Sequence, residues 1–226
     1  MATQPGWAQP PDQSEDTTVL LVRHGETVWN REGRVQGHRD SPLSELGLEQ
    51  GLRVACRLAS HRLDAVYSSD SLRALETARL VAEKHGLPVA VREDLRERCY
   101  GALEGKTLDE ACRSEGAWLA RWQADRRDAP LAGESQDHMQ ARVVAALWEI
   151  VAAHAGRTIA LCTHGGPIKS ALYEILSIPT SLWRRTWIEN GSLTVFRGTP
   201  GLLRVATFND ICHLAGMAGK SHEVEG

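Results

Sequence analysis

The chain has 226 residues, 42% of them hydrophobic and 24% charged, with a net charge of −3; that is enough for one sizeable core and ordinary for a soluble globular protein. No basic stripe points to nucleic acid, and no apolar run approaches the ~20 residues that span a bilayer, so neither partner is expected. The 5 cysteines include no CxxC pair and read as free thiols in a reducing, cytoplasmic compartment rather than as disulfides or zinc ligands.

Residues 1–17 are rich in Gln, Pro, Asp and Thr and lack an apolar h-region; they are expected to form a disordered tail, not a signal peptide. Val19, Leu20, Leu21 and Val22 then run directly into Arg23, His24 and Gly25. A continuous apolar strand of this kind is buried on both faces, which predicts a parallel sheet with helices on either side. An open α/β sheet keeps its ligand crevice at such strand ends. Arg23 and His24 are thereby placed at the mouth of a pocket, with Gly25 allowing close backbone approach.

Residues 29–42 read as loop. Ser44 is the expected cap of a helix to about His61, with Leu48, Leu52, Ala55 and Leu58 as its inward stripe. A short strand over 65–69, a helix over 72–85 ended by Gly86, and a strand near 88–91 follow. Thr107 and Glu110 carry a capping-box signature for a helix with Trp118 and Trp122 one turn apart, read as packing residues rather than a substrate platform. Ser135 starts a long helix to about His154, and Gly156 ends it. Residues 158–162 form a second fully buried strand, followed by Thr163, His164, Gly165 and Gly166 and then a helix over 168–176. Strands over 192–196 and 203–207 precede a tail, from Asn209 onward, that has no periodicity. Alternating strands and helices predict a three-layer α/β/α sandwich with a mostly parallel central sheet. The domain is expected over 18–212, with residues 213–226 as a C-terminal tail.

Two buried strands ending in His-Gly bring His24 and His164 to one crevice if they neighbour each other in the sheet. That pairing suits a phosphoryl group, which needs several donors around its oxygens and an in-line nucleophile. Arg23 supplies a charge-assisted fork, His164 a second cation if protonated, and amides beside Gly165 and Gly25 add uncharged donors. One imidazole must stay neutral to attack, and a cationic pocket holding a dianion can keep the two rings in different states. This is nucleophilic catalysis through a phosphohistidine, with no carboxylate cluster to hold a metal.

The series Arg23-His24-Gly25-Glu26-Thr27 with Asn30, Gln36-Gly37, Ser41-Pro42-Leu43-Ser44, Tyr67-Ser68-Ser69-Asp70 with Arg73 and Thr77, Glu97 to Gly105, Gly133-Glu134-Ser135 and Thr163 to Gly166 resembles the histidine phosphatase superfamily. The similarity is to its phosphoglycerate mutase-like branch and spans about residues 18–210. The resemblance implies a phosphoglycerate mutase-like fold and makes His24 the phosphorylated nucleophile. It places Arg23, Arg73 and His164 around the phosphate, with Asn30, Gln36, Gly37, Tyr100 and Gly165 lining the pocket. Glu97 is implied as the acid that protonates the leaving oxygen and the base that later activates water. No cofactor or metal is implied.

Mutases of this family carry a long insertion in the interval that here spans only 98–133, and tend to read His-Gly-Asn-Ser where this chain has His164-Gly165-Gly166-Pro167. A metal-independent phosphatase of small phosphorylated metabolites is therefore expected. A 2,3-bisphosphoglycerate-dependent phosphoglycerate mutase and a non-enzymatic phospholigand binder are the alternatives. The partner is a small-molecule phosphomonoester, and a homodimer is compatible with the chain. The ending Asn209 to Leu214 is similar to that of metal-independent phosphoserine phosphatases, where His213 would either reach a substrate carboxylate or pack on the sheet.

Overall fold

A computed structural model describes residues 16–124 and 127–217. The strands β1 (Thr17–Arg23), β2 (Ala65–Ser68), β3 (Val89–Val91), β4 (Thr158–Thr163), β5 (Leu193–Thr199) and β6 (Leu202–Asp210) form one sheet in the order β3-β2-β4-β1-β5-β6. Pairings β3-β2, β2-β4 and β4-β1 are parallel, while β5 runs antiparallel to both of its neighbours. The helices are α1 (Val28–Arg31), α2 (Glu45–Leu58), α3 (Leu72–Glu83), α4 (Leu108–Ala124), α5 (Gln136–Ala153) and α6 (Gly165–Ile175).

The period of a strand divides the core in two. Val19 and Leu21 point into one layer with Ile150 and Val151 of α5 and Ala171 and Leu172 of α6. Leu20 and Val22 point into the other, with Val54 and Leu58 of α2 and Ala78 and Val81 of α3. The predicted three-layer sandwich is the observed one. A satellite cluster of Leu103, Ala111, Leu119 and Trp122 lies under α4.

Most expected caps form. Ser44 Oγ accepts from Gly47 N at 3.0 Å, and Ser135 Oγ from His138 N at 3.1 Å. Thr107 N donates to Glu110 Oε2 at 3.1 Å while Glu110 N donates to Thr107 Oγ1 at 3.2 Å; a cap of this kind is worth about 1 kcal/mol.

Several boundaries differ from expectation. The stretch expected as loop contains α1, because Thr27 and Asn30 supply both halves of a capping box. Helix α6 begins at Gly165, ahead of residue 168, since the extended backbone of His164 passes directly into the first turn. Strand β6 continues to Asp210, so Asn209 belongs to the sheet, and Cys212–Leu214 adds a short turn beyond it. Thr17, at the end of the expected N-terminal tail, is the first residue of β1; residues 1–15, Arg126 and residues 218–226 lie outside the described residues.

The inward face of α2 is also different. Leu48 and Leu52 are 46% and 48% exposed, and the buried stripe runs through Gly47, Gly51, Val54 and Leu58. The cause is a backbone contact. A Cβ on Gly25 would lie 2.1 Å from Gly47 O, and one on Gly47 would lie 1.9 Å from Glu26 O. Only glycine at both positions lets α2 press on the turn after β1, and that approach swings the inward face off Leu48 and Leu52 while Ala55 and Leu58 stay buried as expected.

Candidate active site

Strands β1 and β4 are adjacent and in register, Arg23 opposite Thr163. The residues that follow therefore emerge side by side at the same sheet edge. His24 N donates to Thr163 O at 3.0 Å, and the imidazoles of His24 and His164 meet edge to face with centroids 5.1 Å apart. His24 Nδ1 lies 2.7 Å from Gly25 O. A carbonyl only accepts, so Nδ1 carries the proton and Nε2 is left with its lone pair. His164 Nε2 is 2.7 Å from Ser69 Oγ, at the end of β2.

Two guanidinium groups close on this pair. Arg23, the last residue of β1, donates through Nη1 to Ile188 O. Arg73 enters from the first turn of α3 and is 1% exposed. Its Nη2 donates to Gly37 O at 2.7 Å, and its Nη1 to Arg39 O at 3.1 Å and Asp40 Oδ1 at 2.9 Å. The loop it grips has Gly37 at φ +59°, and Glu104 ties it down by accepting from His38 N and Arg39 N, each at 3.0 Å, and from Tyr100 N at 2.8 Å.

Burial pushes the His24 imidazole well below its ordinary range, and the Arg73 and Arg23 charges push it further. His164 is driven the same way by burial, Arg73 and His24. In the protein alone, both rings are thus driven toward the neutral form. A bound dianion is what would restore a charge to His164. Arg73 Nε and His164 Nδ1 are buried without a hydrogen-bond partner, which is the kind of unmet donor capacity an anion would satisfy.

Glu97 stands between this cluster and α6. Its Oε2 accepts from Gly166 N at 3.0 Å and its Oε1 from Arg98 N at 2.8 Å. A Cβ at Gly166 would lie 2.0 Å from Glu97 Oε1, so that glycine makes room for the carboxylate. Of the α6 amides expected to face an anion, that of Gly166 is therefore taken by Glu97. Arg142 of α5 fixes the backbone around it, donating to Asp94 O at 3.0 Å, Arg96 O at 2.8 Å and Glu97 O at 2.9 Å while pairing with Glu134 at 2.7 Å.

A cavity of 610 Å³ joins these groups. Arg23, His24, Asn30, Gln36, Gly37, Arg73, Glu97, Tyr100 and Gly165 all line it, and His164 sits against His24 behind the wall. Asn30 spends its carbonyl on the capping box, 3.0 Å from Thr27 N. His213 does not reach the cavity: its Nε2 lies 2.9 Å from Gly191 O, so the packing alternative is the observed one. Trp122 packs as expected, yet it also faces the cavity.

Sequence reasoning missed Ser69 as the partner of His164, Asp40 as that of Arg73, and Arg142 as the clamp on Glu97. Ser69 and Asp40 stood in or beside recognised stretches; Arg142 has no local signal, being one charged position on an amphipathic helix. Among the described residues no three His, Cys, Asp or Glu side chains are grouped to hold a metal ion, and no helix is long and apolar enough to cross a membrane.

The chain is similar to known proteins over most of its length. The chain is 39% identical over 201 residues to phosphoglycerate mutase-like protein 4 of Arabidopsis thaliana, covering 87% of this chain and 86% of that protein. It is 35% identical over 207 residues to the metal-independent phosphoserine phosphatase of the same plant, covering 90% and 85%. The structure of Bacillus stearothermophilus YhfR superposes with a TM-score of 0.82 at 38% identity, over 88% of this chain and 99% of that one. The family model for the histidine phosphatase superfamily (branch 1) matches residues 19–211, and the chain belongs to that family.

Proposed function

We propose that the protein is a metal-independent phosphomonoesterase that hydrolyses small-molecule phosphate esters through a phosphohistidine on His24, with Glu97 as general acid and base. The observation that carries this reading is the lone-pair nitrogen of His24, which sits in a buried cluster with Arg23, Arg73 and His164 and opens on the same cavity as a carboxylate. In the first step His24 Nε2 forms a bond to phosphorus as the ester P–O bond breaks. Glu97 gives its proton to the departing alcohol oxygen, which is a poor leaving group otherwise. Charge on the non-bridging oxygens is met by the guanidiniums and by His164, which takes up a proton from solvent when the dianion binds beside it. In the second step Glu97 takes a proton from water, whose oxygen attacks phosphorus and releases phosphate and free His24.

The mutase reading shares this pocket. The phosphatase is favoured because, among the described residues, the interval from Glu97 to Glu134 holds a short 3₁₀ turn (Gly101–Leu103) and α4, with no further element to keep water from the phosphoenzyme. The test is a screen of phosphomonoesters followed by acid quench with the ³²P-labelled form of the best one. An acid-labile label on His24, with phosphate released to water, is the expected result. Turnover without label would overturn the mechanism, label passed to 3-phosphoglycerate would indicate a mutase, and binding with neither would indicate a phospholigand binder.

A further inference from the structure

Beyond the phosphate-binding cluster the cavity changes character. Its outer wall is built from Val35, Leu103, Leu119, Trp122, Trp183 and Trp187, drawn from the loop before Gly37, the 3₁₀ turn after Tyr100, α4 and the segment after α6. The polar handle of Trp122 is turned away, since its Nε1 donates to Asp128 O at 2.9 Å, so only ring carbons face inward. Trp118 stacks on the Trp122 ring at 6.3 Å and 11°, and the Arg98 guanidinium lies 5.8 Å from its ring centre; together they hold the indole plane still. The Lys169 ammonium lies 5.6 Å from the Trp183 ring centre, and that contact orients a second aromatic face.

Two of the cations near this wall, Arg34 and Arg98, are held by protein partners. Arg34 is bound to Glu110 at 2.6 Å and to Glu32 at 2.8 Å. Arg98 is buried, and donates to Glu134 O at 2.7 Å and to Asp128 O. Arg127 and Arg184 line the cavity only as exposed residues at its solvent edge. A small polar alcohol would leave this aromatic wall wet. At 610 Å³ the space also falls in the range, about 300–1,000 Å³, that encloses ligands of drug size.

We infer that the physiological substrate is a phosphomonoester whose alcohol carries a bulky, apolar, ring-bearing group that seats against this tryptophan-rich wall, while the phosphate occupies the His24 end. This rests on the phosphatase reading given above and adds the substrate class to it. The ester's apolar part excludes water from the phosphoryl group as it binds, which strengthens the electrostatics of the His24 cluster.

The test must not be confounded by leaving-group reactivity, so aryl phosphates are unsuitable. n-Propyl phosphate and 3-phenylpropyl phosphate depart as alcohols of nearly the same acidity and differ only in the ring. The expected kcat/KM ratio is about 30- to 100-fold in favour of the phenyl ester, from burial of one aromatic group. Trp122→Ala should reduce that ratio by about 10-fold or more, and Trp183→Ala, at a half-exposed position, reads the same ratio if the first variant does not fold. A ratio near one, or faster turnover of phosphoserine than of the phenyl ester, overturns the inference and leaves the phosphatase reading intact. Should no ester turn over, the phosphatase reading fails. In that case calorimetric binding of 3-phenylpropylphosphonate against propylphosphonate still decides the pocket's preference: tighter binding of the phenyl ligand supports it, and equal affinity overturns it.

Discussion

The cavity has two ends built on different principles. At the phosphate end the nucleophile and the cations rise from the sheet or from a helix start: Arg23 and His24 follow β1, His164 follows β4, Ser69 follows β2 and Arg73 opens α3, while Glu97 comes from an irregular segment clamped by Arg142. The side chains from the strand ends and from α3 are all buried; Arg23, His24 and Arg73 are held chiefly by main-chain acceptors and His164 by Ser69 Oγ. At the other end the wall comes from segments between regular elements and from α4, whose backbone leaves helical geometry at Gly116 (φ 47°, ψ −125°). Chemistry is placed on the rigid part, while selection is left to the part whose shape can vary without disturbing it.

The sharpest way to break this division is His24→Ala. Turnover should fall at least about 10⁴-fold for every ester, whatever its alcohol, with the thermal midpoint little changed; residual hydrolysis near wild type would remove His24 from its role. Next in size is Glu97→Gln, for which kcat should fall about 10²- to 10⁴-fold with alkyl esters. It should fall much less with 4-nitrophenyl phosphate, whose oxygen departs unprotonated. Equal losses on both esters would show that Glu97 positions the substrate and does not donate a proton.

Gly47→Ala tests whether rigidity at the phosphate end comes from backbone contact. The added Cβ would meet Glu26 O at 1.9 Å, and overpacking of this kind costs about 1–3 kcal/mol. A lower urea midpoint is expected together with reduced kcat, because the turn displaced is the one beside His24. An unchanged midpoint would mean that α2 is free to move back.

The smallest effect concerns pH. Burial and the two guanidiniums hold His24 and His164 below the ordinary histidine value in the native protein; His213, lowered chiefly by its own burial, shifts in the same direction. The unfolded chain therefore binds protons first as pH falls through about 6.5. Stability is undiminished above that pH and declines below it, toward the native values, by up to about 1.4 kcal/mol per unit for each of His24 and His164 and by less for the half-buried His213, which solvent screens. Urea midpoints between pH 7.5 and 5.5 should show the slope, and orthovanadate should flatten it by favouring the charged ring. A slope that vanadate leaves untouched would place the titrating groups elsewhere.

The two ends also differ in how far they could be read before any coordinates. Val19 to Val22 announces a doubly buried strand by composition alone, and His-Gly after two such strands locates the phosphate end. Leu48 and Leu52 misled because helical spacing reports a period but not a phase, and the phase of α2 is decided by the touching backbones of Gly25 and Gly47. Trp122 was legible as a packing residue, yet its cavity-facing side depends on where Asp128 and Tyr100 lie in space. Arg142 is similar: three carbonyls that converge on it come from another segment, and no local pattern marks such a clamp.

The order of the strands has a consequence for the life of the chain. The strand bearing the nucleophile is made first, but both its partners, β4 and β5, come from the last third of the sequence. At ribosomal rates of about 5–20 residues per second, β1 waits on the order of ten seconds or more before either can pair with it. During that interval its apolar run has no sheet to join, and a chain halted before β5 cannot finish the catalytic centre. Competence to handle phosphate is thus acquired only after β5 has been made, which makes β1 the strand most in need of shelter during synthesis.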